Sequence, residues 1–243
     1  MIKTIKSSLA YLALLGFLVS CGSDTLDPAP TSGTISGSVL LFDEGSTRQE
    51  DAGMKVTVEN TSPAISALTD AAGKFQLPNV SFGNHVLVYE KTGYGTFKKK
   101  VTDHKAASTP ITDTPSLGKG STTTVTAVEL GVTGGNLVTA VTTSPAGNSS
   151  NRRYIRYFFS DTPDVSNTNY KGFSPTYIVQ DAPYSKTFTP AELTSFGVSA
   201  TGTLHVRVYG DSFFTNDYVD PVSNKRVFPN LNATTVASKS VTL

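Results

Sequence analysis

The side chains that most often carry catalysis are few in this sequence of 243 residues: one cysteine, Cys21, and three histidines, His85, His104 and His205. None of the histidines stands at a metal-ligand spacing from another histidine or from the cysteine. The pair formed by Asp103 and His104 supplies two parts of a Ser-His-Asp triad, but no Gly-x-Ser-x-Gly turn is present to supply the nucleophile. These residues predict a protein that is not an enzyme, has no catalytic residues and uses no cofactor.

Carboxylates gather in two stretches where they could act as calcium ligands. Residues 43–44 and 50–51 flank one loop, and Asp211, Asp217 and Asp220 surround a predicted hairpin. Calcium takes several oxygen ligands from loops of this kind, but neither spacing is that of an EF-hand. Surface carboxylates are also common on the loops of β proteins. We therefore predict no metal ligands, with calcium as the alternative at either stretch.

The overall composition narrows the range of functions. The chain has 20 Lys+Arg and 19 Asp+Glu, a formal net charge of +1, so it lacks the basic surplus of a nucleic-acid-binding protein. A single cysteine excludes an intramolecular disulfide. The length suits two domains of about 100 residues each.

The amino-terminal residues have the pattern of a secretion signal. Lys3 and Lys6 precede an uncharged apolar run over residues 9–19. As a helix this run would span only about 16 Å, roughly half of a bilayer core, so a transmembrane helix is the less favoured interpretation. The run ends in Leu18-Val19-Ser20-Cys21, which resembles the lipobox of bacterial lipoproteins.

The lipobox resemblance implies a specific modification of Cys21. Residues 1–20 would be a signal peptide, the Cys21 sulfur would receive a diacylglyceryl group, and the new amino terminus would receive a third chain such as palmitate. Several long chains make membrane anchoring effectively permanent. Gly22 stands where Asp favours inner-membrane retention in lipoproteins of enteric type, so the implied location is the outer membrane, on its periplasmic or outer face.

The rest of the chain predicts an all-β fold. Residues 21–33 are rich in Ser, Thr, Pro and Asp and indicate a flexible tether. From Thr34 onward, short apolar-alternating runs are separated by turn residues, which is typical of antiparallel β-sandwiches. The basic run Lys98–Lys100 is interpreted as a solvated edge strand, where charge prevents pairing with another chain.

The first body segment, residues 34–131, resembles a known family. Its run Thr69-Asp70-Ala-Ala-Gly73-Lys74-Phe75, followed by Gly93-Tyr94, is similar to the carboxypeptidase regulatory-like domain, a transthyretin-like sandwich. Asp70 would cap the turn, Gly73 would adopt a positive φ, and Phe75 would enter the core. In that family the zinc ligands belong to a separate catalytic domain, which has no counterpart here.

The second body segment, residues 132–243, restarts the strand pattern after a predicted hinge at residues 131–135. It weakly resembles an immunoglobulin or fibronectin type III-like sandwich. Thr189-Pro190-Ala-Glu192 is a capping box, which predicts one helical turn with Leu193 and Phe196 packed beneath it. Residues 221–224 predict a hairpin turn.

Loop aromatics are the strongest indication of binding. Phe213 and Phe214 lie in a polar turn and Tyr218 follows them, which suggests a binding surface for a glycan or a protein. The alternative is that these rings plug the end of a sandwich. Further aromatic residues near predicted loops are Tyr170, Phe173, Tyr177 and Tyr184.

Together these patterns predict two consecutive antiparallel β-sandwich domains behind a signal peptide and a tether. We expect a non-catalytic cell-envelope lipoprotein, held to the membrane by lipid on Cys21, that acts as a binding or scaffolding module for a carbohydrate or protein partner. The alternative is an accessory subunit of an enzyme or outer-membrane uptake system encoded nearby. No nucleic-acid partner is expected.

Overall fold

The computed structural model describes residues 29–243, of which residues 31–243 form one compact unit. The predicted signal peptide, Cys21 and most of the predicted tether lie outside the described residues. The regular secondary structure is almost entirely strand, as predicted, with one short helix. Within residues 29–243, no helix is both long and apolar enough to cross a membrane.

The N-terminal sandwich contains nine strands: β1 (Ser32–Ser38), β2 (Leu40–Phe42), β3 (Lys55–Val58), β4 (Ser66–Leu68), β5 (Lys74–Ser81), β6 (Gly83–Glu90), β7 (Phe97–His104), β8 (Ser108–Pro110) and β9 (Ser116–Gly118). One sheet has the order β5-β1-β8, a second has the order β4-β3-β6-β7, and β2 pairs with β9. Most pairs are antiparallel, but β1–β8 and β2–β9 are parallel. Because β1 begins at Ser32, the tether ends earlier than the predicted residue 33.

The core of this sandwich follows from the alternation seen in the sequence. Alternate residues of β3, β5 and β6 face inward, so that Val56, Leu77 and Leu87 are fully buried in one apolar cluster. β7 is an edge strand of its sheet, as expected for the strand that carries Lys98–Lys100. Two of these lysines are neutralised locally, because Lys98 pairs with Glu59 at 2.5 Å and Lys99 pairs with Asp113.

The predicted turn at Asp70 forms, and it lies between β4 and β5. The Asp70 Oδ1 accepts hydrogen bonds from the backbone N–H groups of Ala72 and Lys74, both at 2.9 Å, and Gly73 has φ 73°. Phe75 is buried, as predicted. However, β4 pairs with β3 whereas β5 pairs with β1, so the turn carries the chain from one sheet to the other and does not close a hairpin.

The C-terminal sandwich contains ten strands and one helix: β10 (Thr124–Thr133), β11 (Asn136–Ser144), β12 (Arg153–Ser160), β13 (Gly172–Phe173), β14 (Tyr177–Val179), β15 (Tyr184–Phe188), α1 (Pro190–Ser195), β16 (Thr203–Gly210), β17 (Tyr218–Val219), β18 (Arg226–Val227) and β19 (Lys239–Thr242). One sheet has the order β10-β11-β15. In the other sheet, β12 pairs with both β13 and β14 along one edge and with β16 along the other, and β19 pairs with β16. The two sheets share one apolar core.

The hinge predicted at residues 131–135 is instead a tight hairpin. Gly134 and Gly135 have φ values of 57° and 75°, the positive values that a two-residue turn between antiparallel strands requires. β10 and β11 pair along their whole lengths on either side of this turn. Val125 and Val128 consequently pack in the C-terminal core, so β10 is the first strand of the second sandwich and not the last strand of the first.

The predicted helical turn is confirmed at α1. Thr189 is the N-cap, and its hydroxyl accepts a hydrogen bond from the Glu192 N–H while the Glu192 carboxylate accepts one from the Thr189 N–H. Leu193 is buried beneath the turn, and Phe196 packs against the same core.

Candidate binding site

The aromatic residues predicted as a binding surface lie where the two sandwiches meet. The Phe214 ring stacks on Phe42 of β2, with ring centroids 4.0 Å apart. Backbone packing is equally close here, because a Cβ on Gly118 would lie 2.4 Å from the Phe214 carbonyl oxygen. Phe214 is thus a packing residue of this junction, by which we mean the contact between β2, β9 and the loop after β16.

The other two rings extend the same contact. Phe213 meets Tyr154 edge-on at 5.9 Å and remains 45% exposed. Tyr218 lies edge-on to Phe97 of the N-terminal sandwich, with centroids 6.1 Å apart. Phe214 and Tyr218 therefore contact the N-terminal sandwich, and Phe213 is the most exposed of the three rings.

A polar network also crosses the junction and centres on Glu44. Its carboxylate accepts hydrogen bonds from the hydroxyls of Ser121 at 2.8 Å and Thr123 at 2.7 Å, and it pairs with the Arg153 guanidinium at 3.0 Å. Burial favours the neutral acid, but hydrogen bonds from Thr122, Thr123 and Ser121 outweigh burial and hold the pKa of Glu44 below its ordinary value.

Two asparagines satisfy the backbone at the end of β9. Asn216 accepts from the Gly118 N–H at 2.8 Å and donates to the Gly118 carbonyl oxygen at 2.9 Å. Asn230 donates to the same carbonyl oxygen at 3.0 Å and to that of Phe214 at 2.9 Å. Side chains of the C-terminal sandwich thereby complete the backbone hydrogen bonding of the N-terminal one.

The three carboxylates of the second stretch considered as calcium ligands are bound to protein groups. Asp211 is buried and pairs with Arg156 at 2.8 Å, and Asp217 pairs with Arg226. Asp220 caps its own turn by accepting from the Ser223 N–H at 2.8 Å. Within the described part of the chain, no three His, Cys, Asp or Glu side chains form a group that could hold a metal ion.

Asp51 and two of the histidines, His85 and His104, also have structural partners. The Asp51 Oδ1 accepts from the Leu41 N–H at 2.6 Å. His104 is the last residue of β7 and is fully buried, with ring nitrogens 2.7 Å from the Thr109 hydroxyl and 3.2 Å from the Val80 carbonyl oxygen. His85 bonds the Ser81 carbonyl oxygen at 2.7 Å.

A cleft that the sequence did not indicate opens between two loops of the C-terminal sandwich. It has a volume of about 460 Å³, and we call it the Tyr170 cleft. One wall is the loop between β12 and β13, and the other is the β17–β18 hairpin. The lining residues are Asn167, Thr168, Asn169, Tyr170, Ser223, Asn224, Lys225, Arg226, Val227 and Phe228.

An aromatic cluster separate from the main core supports the base of this cleft. Phe158 of β12 meets Phe228 at 5.0 Å and Tyr170 at 5.3 Å, both edge-on. The Arg156 guanidinium lies 5.0 Å from the centre of the Phe228 ring. Tyr170 is half-buried, and burial raises its pKa above the ordinary value. The cleft thus combines an apolar base with polar walls.

Both walls are fixed by internal hydrogen bonds. In the first, the Ser166 hydroxyl accepts from the Asn169 N–H at 3.0 Å, and the Asn169 amide donates to Asp164 at 2.7 Å. In the second, Asp220 caps the turn, and Asn224 adopts φ 54°. The Tyr170 hydroxyl joins the two walls by donating to the Arg226 carbonyl oxygen at 3.3 Å.

Comparison with known proteins gives only distant similarities. The chain matches no protein-family model and no curated protein sequence. Among solved structures it is similar to a candidate carbohydrate-binding protein of Bacteroides uniformis, with 12% identity and a TM-score of 0.31 over 88% of this chain and 100% of that one. DUF3823 family proteins of Bacteroides ovatus and Parabacteroides merdae show 12% and 13% identity and TM-scores of 0.28 and 0.26. These two matches cover 87% and 74% of this chain and 99% and 90% of the others.

Similarities at this level transfer no property of those proteins to this chain. The resemblance of the first segment to the carboxypeptidase regulatory-like domain also stays a prediction.

Partial signals for the Tyr170 cleft are present in the sequence. Tyr170 was recognisable as an aromatic near a loop, and the turn at residues 221–224 was predicted and is confirmed between β17 and β18. The sequence did not indicate that these two loops face each other, and it gave no reason to select Asn167, Asn224 or Lys225.

Proposed function

We propose that this chain is a non-catalytic binding module of the cell envelope, anchored to the outer membrane by lipid on Cys21. The lipobox pattern Leu18–Cys21 supports the anchor. The compact unit that starts at Thr31 supports a body presented from one attachment point. In this proposal the body binds a partner, and the lipid keeps that partner at the membrane.

The observation that carries the binding role is the Tyr170 cleft. Its volume of about 460 Å³ lies within the range of about 300–1,000 Å³ typical of ligand sites. Its lining offers amides, hydroxyls, aromatic rings and cations, and it includes no carboxylate, histidine or cysteine side chain. Such a lining can hold a ligand by hydrogen bonds and packing.

The anchor is tested by comparing the full chain with Cys21→Ser in a Gram-negative host. The expected result is that the wild-type protein sediments with outer membranes and that mass spectrometry finds acyl groups on the peptide beginning at Cys21. The Cys21→Ser protein should remain an uncleaved precursor or become soluble. Recovery of mature-size Cys21→Ser protein in the detergent phase would contradict the proposed anchor.

The binding role is tested by photo-crosslinking in intact cells. A photo-reactive amino acid replaces Lys225, which lines the cleft, or Val132, an exposed residue of the β10–β11 hairpin that serves as the matched control. Higher-mass adducts are expected from position 225 and not from position 132. Equal labelling at both positions, or none at either, would argue against a partner in the cleft. Turnover on an ester, peptide or glycoside panel would disprove the non-catalytic assignment.

A further inference from the structure

We propose that the Tyr170 cleft is a saccharide-binding site in which one sugar ring lies against Tyr170 and is held by Asn167, Asn224 and Lys225. This inference rests on the proposed binding function and specifies its ligand.

The polar groups of the cleft match the chemistry of a sugar. A sugar presents adjacent hydroxyls, each of which both donates and accepts, and side-chain amides offer both capacities in one group. Asn167 and Asn224 place two amides on opposite walls, and the hydroxyls of Thr168 and Ser223 lie beside them. Among residues 29–243, the side chains of Asn167, Asn224 and Lys225 find no hydrogen-bond or ion-pair partner, so they are available to a ligand.

The apolar part of the cleft complements the remaining surface of a sugar. A pyranose ring exposes a face of C–H groups between its hydroxyls, and an aromatic ring offers apolar area with little conformational entropy to lose. Tyr170 and Phe228 both line the cleft, and their ring centroids lie 5.8 Å apart. Contacts with Phe158 and Phe173 fix the orientation of Tyr170.

The charge arrangement favours a saccharide over a phosphate ligand. A phosphate is typically held by a guanidinium that donates two hydrogen bonds. Arg226 is the one guanidinium of the lining, and it already pairs with Asp217. Lys225 then remains as one exposed cation, which can donate hydrogen bonds to ring hydroxyls or to the carboxylate of a uronic acid.

Organisation of the walls before binding lowers the entropic cost of binding. Small ligands gain affinity when the site needs little ordering. The hydrogen bonds within residues 164–169 and 220–225 and the bond from Tyr170 to Arg226 fix both walls without a ligand.

The experiment uses the full chain purified in detergent and a printed array of neutral and uronic-acid oligosaccharides, followed by calorimetric titration of the strongest binders. Tyr170→Ala removes the ring of the base. Asn224→Gly removes one amide and retains a residue that tolerates the positive φ. Val132→Ala, which removes an exposed apolar side chain outside the cleft, is the matched control.

We expect wild-type protein to bind at least one glycan, and each cleft variant to bind it about tenfold more weakly or worse, as loss of one good contact implies. The control should retain wild-type affinity. Circular dichroism and unfolding curves establish whether Tyr170→Ala is folded, and Asn224→Gly provides the test if it is not.

The proposal is overturned if no oligosaccharide of the array binds, or if a bound one is held equally well by Asn224→Gly and wild-type protein. Failure of the saccharide inference is distinguishable from failure of the binding function. If position 225 forms crosslinked adducts in cells but no glycan binds, the cleft binds a partner that is not a saccharide.

Discussion

The Glu44 carboxylate of the N-terminal sandwich lies 3.0 Å from the Arg153 guanidinium of the C-terminal sandwich, and three hydroxyls of the intervening segment donate to the same carboxylate. The side chains of Glu44 and Arg153 are only 16% and 11% exposed, so solvent screens this ion pair weakly. Together with the stack of Phe42 and Phe214, this network connects the two sandwiches within one compact unit.

Arg153→Met should destabilise the protein by about 2 kcal/mol, because it leaves the charge of Glu44 partly buried without its cation. Urea unfolding of both proteins measures the difference. Lys171→Met is the control, since it removes an ion pair with Asp161 in which both side chains are more than half exposed, and it should change stability far less. Equal losses of stability in the two variants would show that the Glu44–Arg153 pair stabilises the protein no more than an exposed ion pair does.

Acid should weaken the contribution of Glu44. The pKa of Glu44 in the folded protein lies below its ordinary value of 4.5, so the folded state favours the ionised form. The resulting stabilisation is present above pH 4.5 and disappears as the pH falls through the lower pKa of the folded state. The stability difference between wild-type protein and Glu44→Gln should therefore be smaller at about pH 3 than at about pH 7.

The matched control for this pH effect is Glu129→Gln, which neutralises an exposed glutamate on β10. Urea unfolding at each pH should show little change in the difference between this variant and wild-type protein. If Glu44→Gln and wild-type protein keep a constant difference over the whole range, the lowered pKa of Glu44 is refuted.

Phe214→Ala should lower stability by about 2 kcal/mol, because it removes a ring stacked on Phe42 and leaves a cavity at the junction. Phe213→Ala should cost less than about 1 kcal/mol, since its ring is nearly half exposed and has only edge contacts. Thermal unfolding of the two single variants distinguishes these effects. A larger loss from Phe213→Ala than from Phe214→Ala would contradict the assignment of Phe214 to junction packing.

Gly73→Ala should be far more harmful than Gly53→Ala. Both glycines have a positive φ, but a Cβ at Gly73 would lie 2.3 Å from the Val39 carbonyl oxygen, whereas nothing lies within 4 Å of a Cβ at Gly53. Gly53→Ala should therefore show backbone strain alone, about 1 kcal/mol, and Gly73→Ala should exceed about 3 kcal/mol. Urea unfolding measures both, and similar losses would mean that the turn moves to relieve the contact.

Local features of the fold were accessible from the sequence. The buried positions of β3, β5 and β6, the cap at Asp70 and the capping box at Thr189 depend on residues close in the chain, and the sequence pattern predicted them. Which strands pair with each other depends on residues that are far apart in the chain. The apolar residues Val125 and Val128 suit the core of either sandwich, and only the pairing of β10 with β11 decides between them. The pair Gly134-Gly135 is also a two-residue hairpin signal, which was interpreted as a hinge.

The candidate site was less predictable for the same reason. An aromatic residue in a polar turn has the same local sequence whether it faces solvent or another domain. The partial burial of Phe214 depends on Phe42, and the Tyr170 cleft depends on Tyr170 and Phe228 both packing on Phe158 of β12. These relations arise from the tertiary structure, and no spacing in the chain encodes them.

The position of β1 determines how the body would carry mechanical load. β1 is the first strand of the described residues, and it lies between β5 on one side and β8 on the other. A pull from a membrane anchor against a ligand held in the C-terminal sandwich would enter the fold at Ser32. Extracting β1 would require breaking its backbone hydrogen bonds to both neighbours and exposing the fully buried Ile35. The tension is therefore resisted by the middle strand of a sheet, where two rows of hydrogen bonds share it.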